Sequence, residues 1–288
     1  MSTSAAGRTS TAGRTSTAGS TSTAGSTSTA GNTSTAGNTS AARLRYVLRI
    51  ADLSLVLGQR LGEWVGHAPA LEEDLGLANI ALDLLGQARL LLAYGAELEG
   101  RGRSEDDLAF LRAPDEYLNP TLVEQPNGDF AQTIVRQVLI DAFQLALFEG
   151  LATSRDERLA GVAGKAVKET RYHLRYSADW LIRLGDGTEE SHTRAQAALE
   201  RLWPHTRELF EEDALDSDMA AAGIAPRLAD LRAGWSAEIG RILAEATLQR
   251  PAERYHRWAG KRGEHGEHLG YLLAEMQWMQ RTYPGARW

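Results

Sequence analysis

From Leu44 onward apolar residues recur every three to four positions, the period of an amphipathic helix, and no run of alternating β-branched residues interrupts them. The first stripe, on Leu44, Val47, Leu48, Ala51, Leu55 and Leu61, predicts a helix over 44–62, broken by His67-Ala68-Pro69. A second, on Leu77, Ile80, Ala81, Leu84, Leu85, Ala88, Leu91 and Leu92, predicts a helix over 71–99 that Gly100-Arg101-Gly102 ends. Residues 101–128 contain Pro114, Pro120 and Pro126 and read as a long connection. Ile134, Val138, Leu145 and Phe148 mark a third helix over 130–154, and a fourth runs over 156–185 to the stop at Gly185-Asp186-Gly187. Further helices are expected over 189–210, interrupted by Pro204, over 226–248, and over 266–283 on Leu269, Leu272, Leu273, Met276 and Met279. Two long hairpins joined by a long crossover predict an all-α, ferritin-like four-helix bundle with additional C-terminal helices.

The start of the chain carries no such pattern. Residues 9–40 repeat a six-residue unit, Thr-Ser-Thr-Ala-Gly plus one variable residue (Arg14, Ser20, Ser26, Asn32, Asn38), with nothing larger and more apolar than alanine. A hexapeptide β-helix needs a branched apolar residue in each turn, and a segment without one cannot offset its ordering entropy. Residues 1–41 are therefore expected to be a disordered low-complexity arm, with the ferritin-like helical domain over 42–288. The arm lacks the apolar core of a secretory signal.

Charge and composition narrow the function. The 288-residue chain has a formal net charge of −7, and the arm holds Arg8 and Arg14 but no acid, so the helical domain is more acidic still. That balance argues against non-specific nucleic-acid binding, which depends on neutralising phosphates. The absence of cysteine excludes disulfides, thiol nucleophiles and Cys-zinc sites, and fits a reducing compartment. No unbroken apolar run reaches the roughly 18 residues of a membrane span. A cytoplasmic chain with neither membrane nor nucleic acid as partner is expected. No Gly-rich phosphate loop, G-x-S-x-G elbow or dinucleotide fingerprint appears.

Several segments together resemble one family. They are Leu57-Gly-Gln-Arg-Leu-Gly-Glu-Trp64, His67-Ala-Pro69, Leu77-Ala-Asn-Ile-Ala-Leu-Asp-Leu-Leu-Gly-Gln-Ala-Arg89, Val123-Glu-Gln-Pro-Asn-Gly128, Lys168-Glu-Thr-Arg-Tyr-His-Leu-Arg175 and Glu267-His-Leu-Gly-Tyr-Leu-Leu-Ala-Glu-Met-Gln277. In this order they are similar to the PaaC family, the structural component of the bacterial phenylacetyl-CoA epoxidase, and the likeness covers 44–288. The resemblance implies a ferritin-like fold and membership of a multicomponent oxygenase of aerobic phenylacetate degradation. There the catalytic A subunit carries the diiron site, and a flavin/iron–sulfur reductase supplies electrons from NADPH.

A diiron bundle takes a carboxylate from each of two helices and a Glu-x-x-His from each of the other two, because carboxylates bridge the cations and imidazoles cap them. Set against that pattern, the second-helix glutamate and histidine become Leu84 and Gln87, and the fourth-helix pair becomes Thr170 and His173. The third-helix carboxylate survives as Asp141, and the first-helix slot falls at about Ser54. The helical periods place all six on interior faces. Two divalent cations beside one carboxylate would leave large uncompensated charge. The six positions are therefore expected to be vestigial ligand slots that bind no metal, with Asp141 and His173 forming a buried hydrogen-bonded pair, joined by Gln87 or Thr170.

Other positions carry weaker chemistry. Asp83 and Glu169 stand one residue before their slots, rotated about 100° away, and are expected in second-layer or surface salt bridges, as is Asp52. An off-register set of Asp83, Asp141, Glu169 and His173 would be the ligands of an active metalloenzyme, the rival reading. Glu264-His265-Gly266-Glu267-His268 has histidines at i, i+3, which can chelate a metal but also suit a helix start or a subunit contact. Trp64, Trp180, Trp235 and Trp278 read as core or interface anchors. The basic stretch Arg254-Tyr-His-Arg-Trp-Ala-Gly-Lys-Arg262, with Trp258, reads as a solvated loop or a contact for the phosphates of a CoA thioester. The sequence thus points to a structural subunit with no active site or cofactor of its own. Its expected partners are the diiron catalytic subunit, the other oxygenase subunits and the reductase. A free-standing helical binding protein is the remaining alternative.

Overall fold

The computed structural model describes residues 30–254 and 259–286, with side chains from Ser40 onward. Residues 1–29 of the repeat arm, and Arg257 and Trp258 of the basic stretch, lie outside the described residues. Four long helices form the centre: α1 (Ala30–Gly62), α2 (Leu71–Glu99), α5 (Phe130–Leu151) and α6 (Glu157–Gly185). Among the described residues there is no strand, only an isolated bridge between Ala259 and Glu264. The architecture is the all-α, ferritin-like bundle that the periods predict.

The two hairpins are antiparallel. Gly58 of α1 abuts Ala81, Leu84 and Leu85 of α2, and a Cβ there would sit 3.2–3.3 Å from them, so a larger residue would have to push α2 back by a few tenths of an ångström. At the other end Leu44 and Leu48 pack beside Gly95. On the second hairpin, Asp129 and Asp156 cap α5 and α6, each accepting from a backbone N–H in the first turn. The Asp156 carboxylate also takes the Tyr94 hydroxyl at 2.6 Å, tying the start of α6 to α2. α5 is buried nearly all round, because the second helical layer, α7 (Glu189–Leu202) and α10 (Leu228–Glu245), packs on its outer side. Trp235 of α10 donates its indole N–H to the Leu139 carbonyl at 3.0 Å.

Several boundaries differ from expectation. α1 begins at Ala30, not near Leu44, so 30–41 of the expected arm belong to the helix. Once the packed part has nucleated a helix, each further residue costs little to add, and no proline interrupts the run. Ser40 already donates to the Leu98 carbonyl at 3.4 Å. The connection over 101–128 contains α3 (Glu105–Phe110), a 3₁₀ turn (Pro114–Glu116) and α4 (Thr121–Glu124), too short to show a period. The helix over 189–210 breaks as Pro204 predicts, into α7, a 3₁₀ turn and α8 (Thr206–Phe210). An unforeseen α9 (Ala214–Ala221) follows. The last helix divides at Gln277 into α11 (Glu267–Met276) and α12 (Trp278–Thr282), where the Gln277 amide is drawn inward to the Arg112 carbonyl and the Tyr117 hydroxyl. By length and composition α2 is apolar enough to cross a membrane, which a search for an unbroken run misses because Asp83 and Arg89 interrupt it.

Buried ion pairs fix the crossover and the C-terminal helices to α1. Asp52, expected in a second-layer or surface salt bridge, is fully buried and makes a two-pronged pair with the buried Arg112. Asp52 Oδ2 also accepts the Leu118 N–H at 2.9 Å, and Tyr117 stacks under the guanidinium at 4.2 Å. Further along α1, Arg49 spans Asp213 and Asp216 at the start of α9. Gly263, at φ +87°, lies so close to the Asp115 carbonyl that no side chain fits there. Arg112→Ala would strand the Asp52 carboxylate and should cost about 3–5 kcal/mol in denaturant unfolding. Replacing both residues with apolar ones of similar volume should recover most of that loss.

Candidate functional site

All six slot positions, Ser54, Leu84, Gln87, Asp141, Thr170 and His173, are buried in the middle of the bundle. The structure does not bring them to one point. Ser54 with Gln87, Asp141, and His173 belong to three separate hydrogen-bonded groups, Thr170 to none, and Leu84 fills apolar space beside Gly58.

The first group crosses all four helices. Gln144 of α5 donates to Ser54 of α1 at 3.2 Å, and Ser54 donates to Gln87 of α2 at 3.4 Å. Gln87 in turn donates to Glu169 of α6 at 3.1 Å, whose other oxygen meets Lys165 at 3.2 Å. A chain of amides and a hydroxyl thus runs where a metal pair would need carboxylates. The second group is Asp141, whose two oxygens accept from Gln137 at 2.7 Å and from Ser177 at 2.8 Å. The third is His173, whose Nε2–H donates to Asp83 at 3.0 Å. That tautomer leaves the Nδ1 lone pair facing the interior; among the described residues neither it nor the Thr170 hydroxyl finds a partner.

The expected Asp141–His173 pair is therefore not formed. Gln137 and Ser177, one turn away on the same faces as Asp141 and His173, hold the aspartate, while Asp83 reaches round α2 to hold the imidazole. Asp83 and Glu169 are the outer partners of the interior groups, as their 100° offset implies. Gln137, Asp141 and Gln144 recur at i, i+4 and i+7 along an otherwise apolar helix. That polar stripe inside a hydrophobic one is the signal that could have revealed the two glutamines.

Electrostatics follow from burial. Removal from water pushes the Asp141 carboxyl up to about 8 against the pull of its two hydrogen bonds, so it is a neutral acid at pH 7. Burial also lowers His173, outweighing Asp83, so the imidazole is neutral. A protonated acid, one imidazole whose Nε2 is engaged, and amides and hydroxyls do not fit a pair of divalent irons. The off-register set does not assemble either, and among the described residues no three Asp, Glu or His side chains gather as metal ligands.

The 264–268 cluster has a structural task. Both ring nitrogens of His265 face acceptors, Nδ1 the Glu124 carboxylate and Nε2 the Tyr117 carbonyl, each at 2.8 Å. The ring must be doubly protonated to satisfy both, which leaves no lone pair for a metal. Burial works against that charge, but the bonds to Glu124 and Tyr117 outweigh it and raise the pKa. Glu124 also accepts the Gly266 N–H at 2.8 Å, so one carboxylate seats the start of α11. In the basic stretch Lys261 is held by Asp216 at 3.2 Å and by the Glu211 carbonyl, which removes it as a free phosphate contact. Of the tryptophans, Trp235 is core, Trp64 and Trp180 stack edge-on either side of Phe130, and Trp278 is mostly exposed.

A family model described as phenylacetic acid catabolic protein matches residues 22–288. The chain belongs to that family. It is also 55% identical over 243 residues to the C subunit of the 1,2-phenylacetyl-CoA epoxidase of Escherichia coli (strain K12), a match that covers 84% of this chain and 98% of the relative. Within this family member the bundle centre is the feature that bears on function.

Two titrations test the picture. Folded Asp141 keeps its proton between the ordinary aspartate range and about pH 8, where the unfolded chain has lost it, so this residue lowers stability progressively as pH rises through that interval. Asp141→Asn should remove that slope in urea denaturation between pH 5 and 8.5. His265 works in the opposite sense to a depressed acid. Its raised pKa stabilises the fold fully below histidine's ordinary value of 6.5 and ceases to do so as pH climbs past the folded value. His265→Ala should consequently lower the melting temperature more at pH 6 than at pH 9.

Proposed function

We propose that this chain is the non-catalytic structural subunit of a multicomponent phenylacetyl-CoA 1,2-epoxidase. Its task in this reading is to bury helix faces against the diiron catalytic subunit and hold that subunit's metal-bearing helices and substrate channel in shape. The complex would epoxidise the aromatic ring of phenylacetyl-CoA with O₂, drawing electrons from NADPH through a flavin/iron–sulfur reductase. Iron belongs to the partner, and this chain carries no cofactor.

The observation that carries the reading is the hydrogen-bonded centre: one fully buried carboxyl, Asp141, held by Gln137 and Ser177, in place of the four carboxylates such a centre requires. Similarity to a protein named as an epoxidase subunit supplies the assembly and the substrate class. The rival metalloenzyme would need Asp83, Asp141, Glu169 and His173 to converge. Asp83 is instead engaged by His173, and Glu169 by Gln87 and Lys165. The buried hairpin core and its fixed crossover suit a part that stays rigid while its partner reacts.

Co-expression with the catalytic subunit tests the proposal. The two should co-purify, and withdrawing this chain should slow epoxidation strongly, since a misplacement of about 1 Å at a reacting centre costs on the order of 100-fold. A catalytic subunit that never binds this chain and turns over equally well without it would leave the free-standing binding protein as the better account.

A further inference from the structure

Resting on the oxygenase reading above, we propose that a small dry cavity between α1 and α5 binds dioxygen. The cavity has a volume of about 40 Å³ and lies where α1, the crossover, α5, α8 and α10 meet. Ile50 and Leu53 of α1, Phe143 and Leu147 of α5, Leu209 of α8 and Leu228 of α10 line it, none more than 5% exposed. Larger hollows in the molecule are of another kind. The groove of about 540 Å³ between α5, α6 and α10 is rimmed by the Arg171–Glu149 and Arg241–Glu238 ion pairs and stands open to water.

Volume and chemistry together select the occupant. One water needs about 10–15 Å³ and two to four hydrogen-bonding partners. The small cavity has the room, but almost none of its lining surface is polar. Its charged lining residues, Arg49, Asp216 and Lys261, are engaged with one another and with their neighbours. Arg49 donates to Asp213, to Asp216 and to the Lys261 carbonyl, while Lys261 donates to Asp216 and to the Glu211 carbonyl. That leaves the Tyr46 hydroxyl, one partner where a buried water takes two to four. Water would lose hydrogen bonds by entering. A molecule that makes none loses nothing, and it supplies dispersion contacts to lining atoms that lack them on one side. The space is about three times what one water needs, enough for roughly two or three heavy atoms. Dioxygen, which the proposed reaction consumes, is apolar and diatomic. Even at the best binding per heavy atom, a two-atom ligand is held no tighter than about 6 mM. The site is therefore one of transit, filled and emptied freely, and not a store.

Methyl NMR of the full-length chain under dissolved oxygen, compared with argon, tests this, because paramagnetic dioxygen speeds the relaxation of the protons it touches. The methyls of Ile50, Leu53, Leu147, Leu209 and Leu228 should gain several times more relaxation than those of Leu77, Ile80 and Leu91, which are as deeply buried in α2. A crystal under xenon pressure should hold xenon among the same five residues. Leu53→Phe and Leu228→Phe each fill the space, and either variant, once folded, should lose both signals. Equal relaxation of the two sets of methyls in the unaltered chain would overturn the proposal, as would ordered water in the cavity. A chain that takes up oxygen here yet never joins the catalytic subunit would sink the scaffold reading and leave the binding site standing.

Discussion

A carboxylic acid sealed at the middle of a helical bundle must either gain a countercharge or give up its own. Among the described residues Asp141 has no cation for a partner; the Gln137 amide and the Ser177 hydroxyl hold it, so it stays protonated. Everything around it follows the same constraint. With no negative charge to balance, the neighbouring positions are amides, hydroxyls, a neutral imidazole and a leucine. Bonded to one another, these cross-link four helices through Gln144, Ser54, Gln87 and Glu169. A metal-bearing bundle draws its helices together through carboxylates shared by two cations. Here hydrogen bonds replace them, each worth about 1 kcal/mol net between neutral groups and somewhat more at the Glu169 carboxylate.

The charges that this molecule does bury lie elsewhere, where they fasten the parts of the fold that no periodicity fixes. Asp52 with Arg112 pins the crossover to α1, Arg49 with Asp213 and Asp216 pins α9, and Glu124 with His265 pins the start of α11. The pattern separates the two layers physically. The central hairpins, with α7 and α10 packed on α5, rest on apolar stripes, while the short α9 and α11 are tied by ionic contacts to α1 and to the crossover.

Legibility from sequence divides along the same line. The long helices could be read because their apolar period repeats over four or more turns, and α2 lies where Leu77 to Leu92 placed it. The interior location of Ser54, Gln87, Asp141, Thr170 and His173 could be read for the same reason. Their pairing could not, since which of two inward polar groups bond depends on fractions of a turn: Ser177 rather than His173 reaches Asp141, and Asp83 reaches His173 from an adjoining face. The ion pairs were hidden because their partners are 60 to 167 residues apart and set by loop paths. Nor did the spacing of His265 and His268 disclose that one ring would be clasped by Glu124 and a carbonyl.

The central claim is that the heart of this bundle is too poor in negative charge to hold two irons. The most direct measurement is the iron bound per chain after the purified protein is incubated anaerobically with excess ferrous ion and desalted, followed by spectroscopy of what remains. The account predicts far less than one iron per chain, with no exchange-coupled pair. Two irons per chain, coupled to each other and lost in Asp141→Ala, would contradict it.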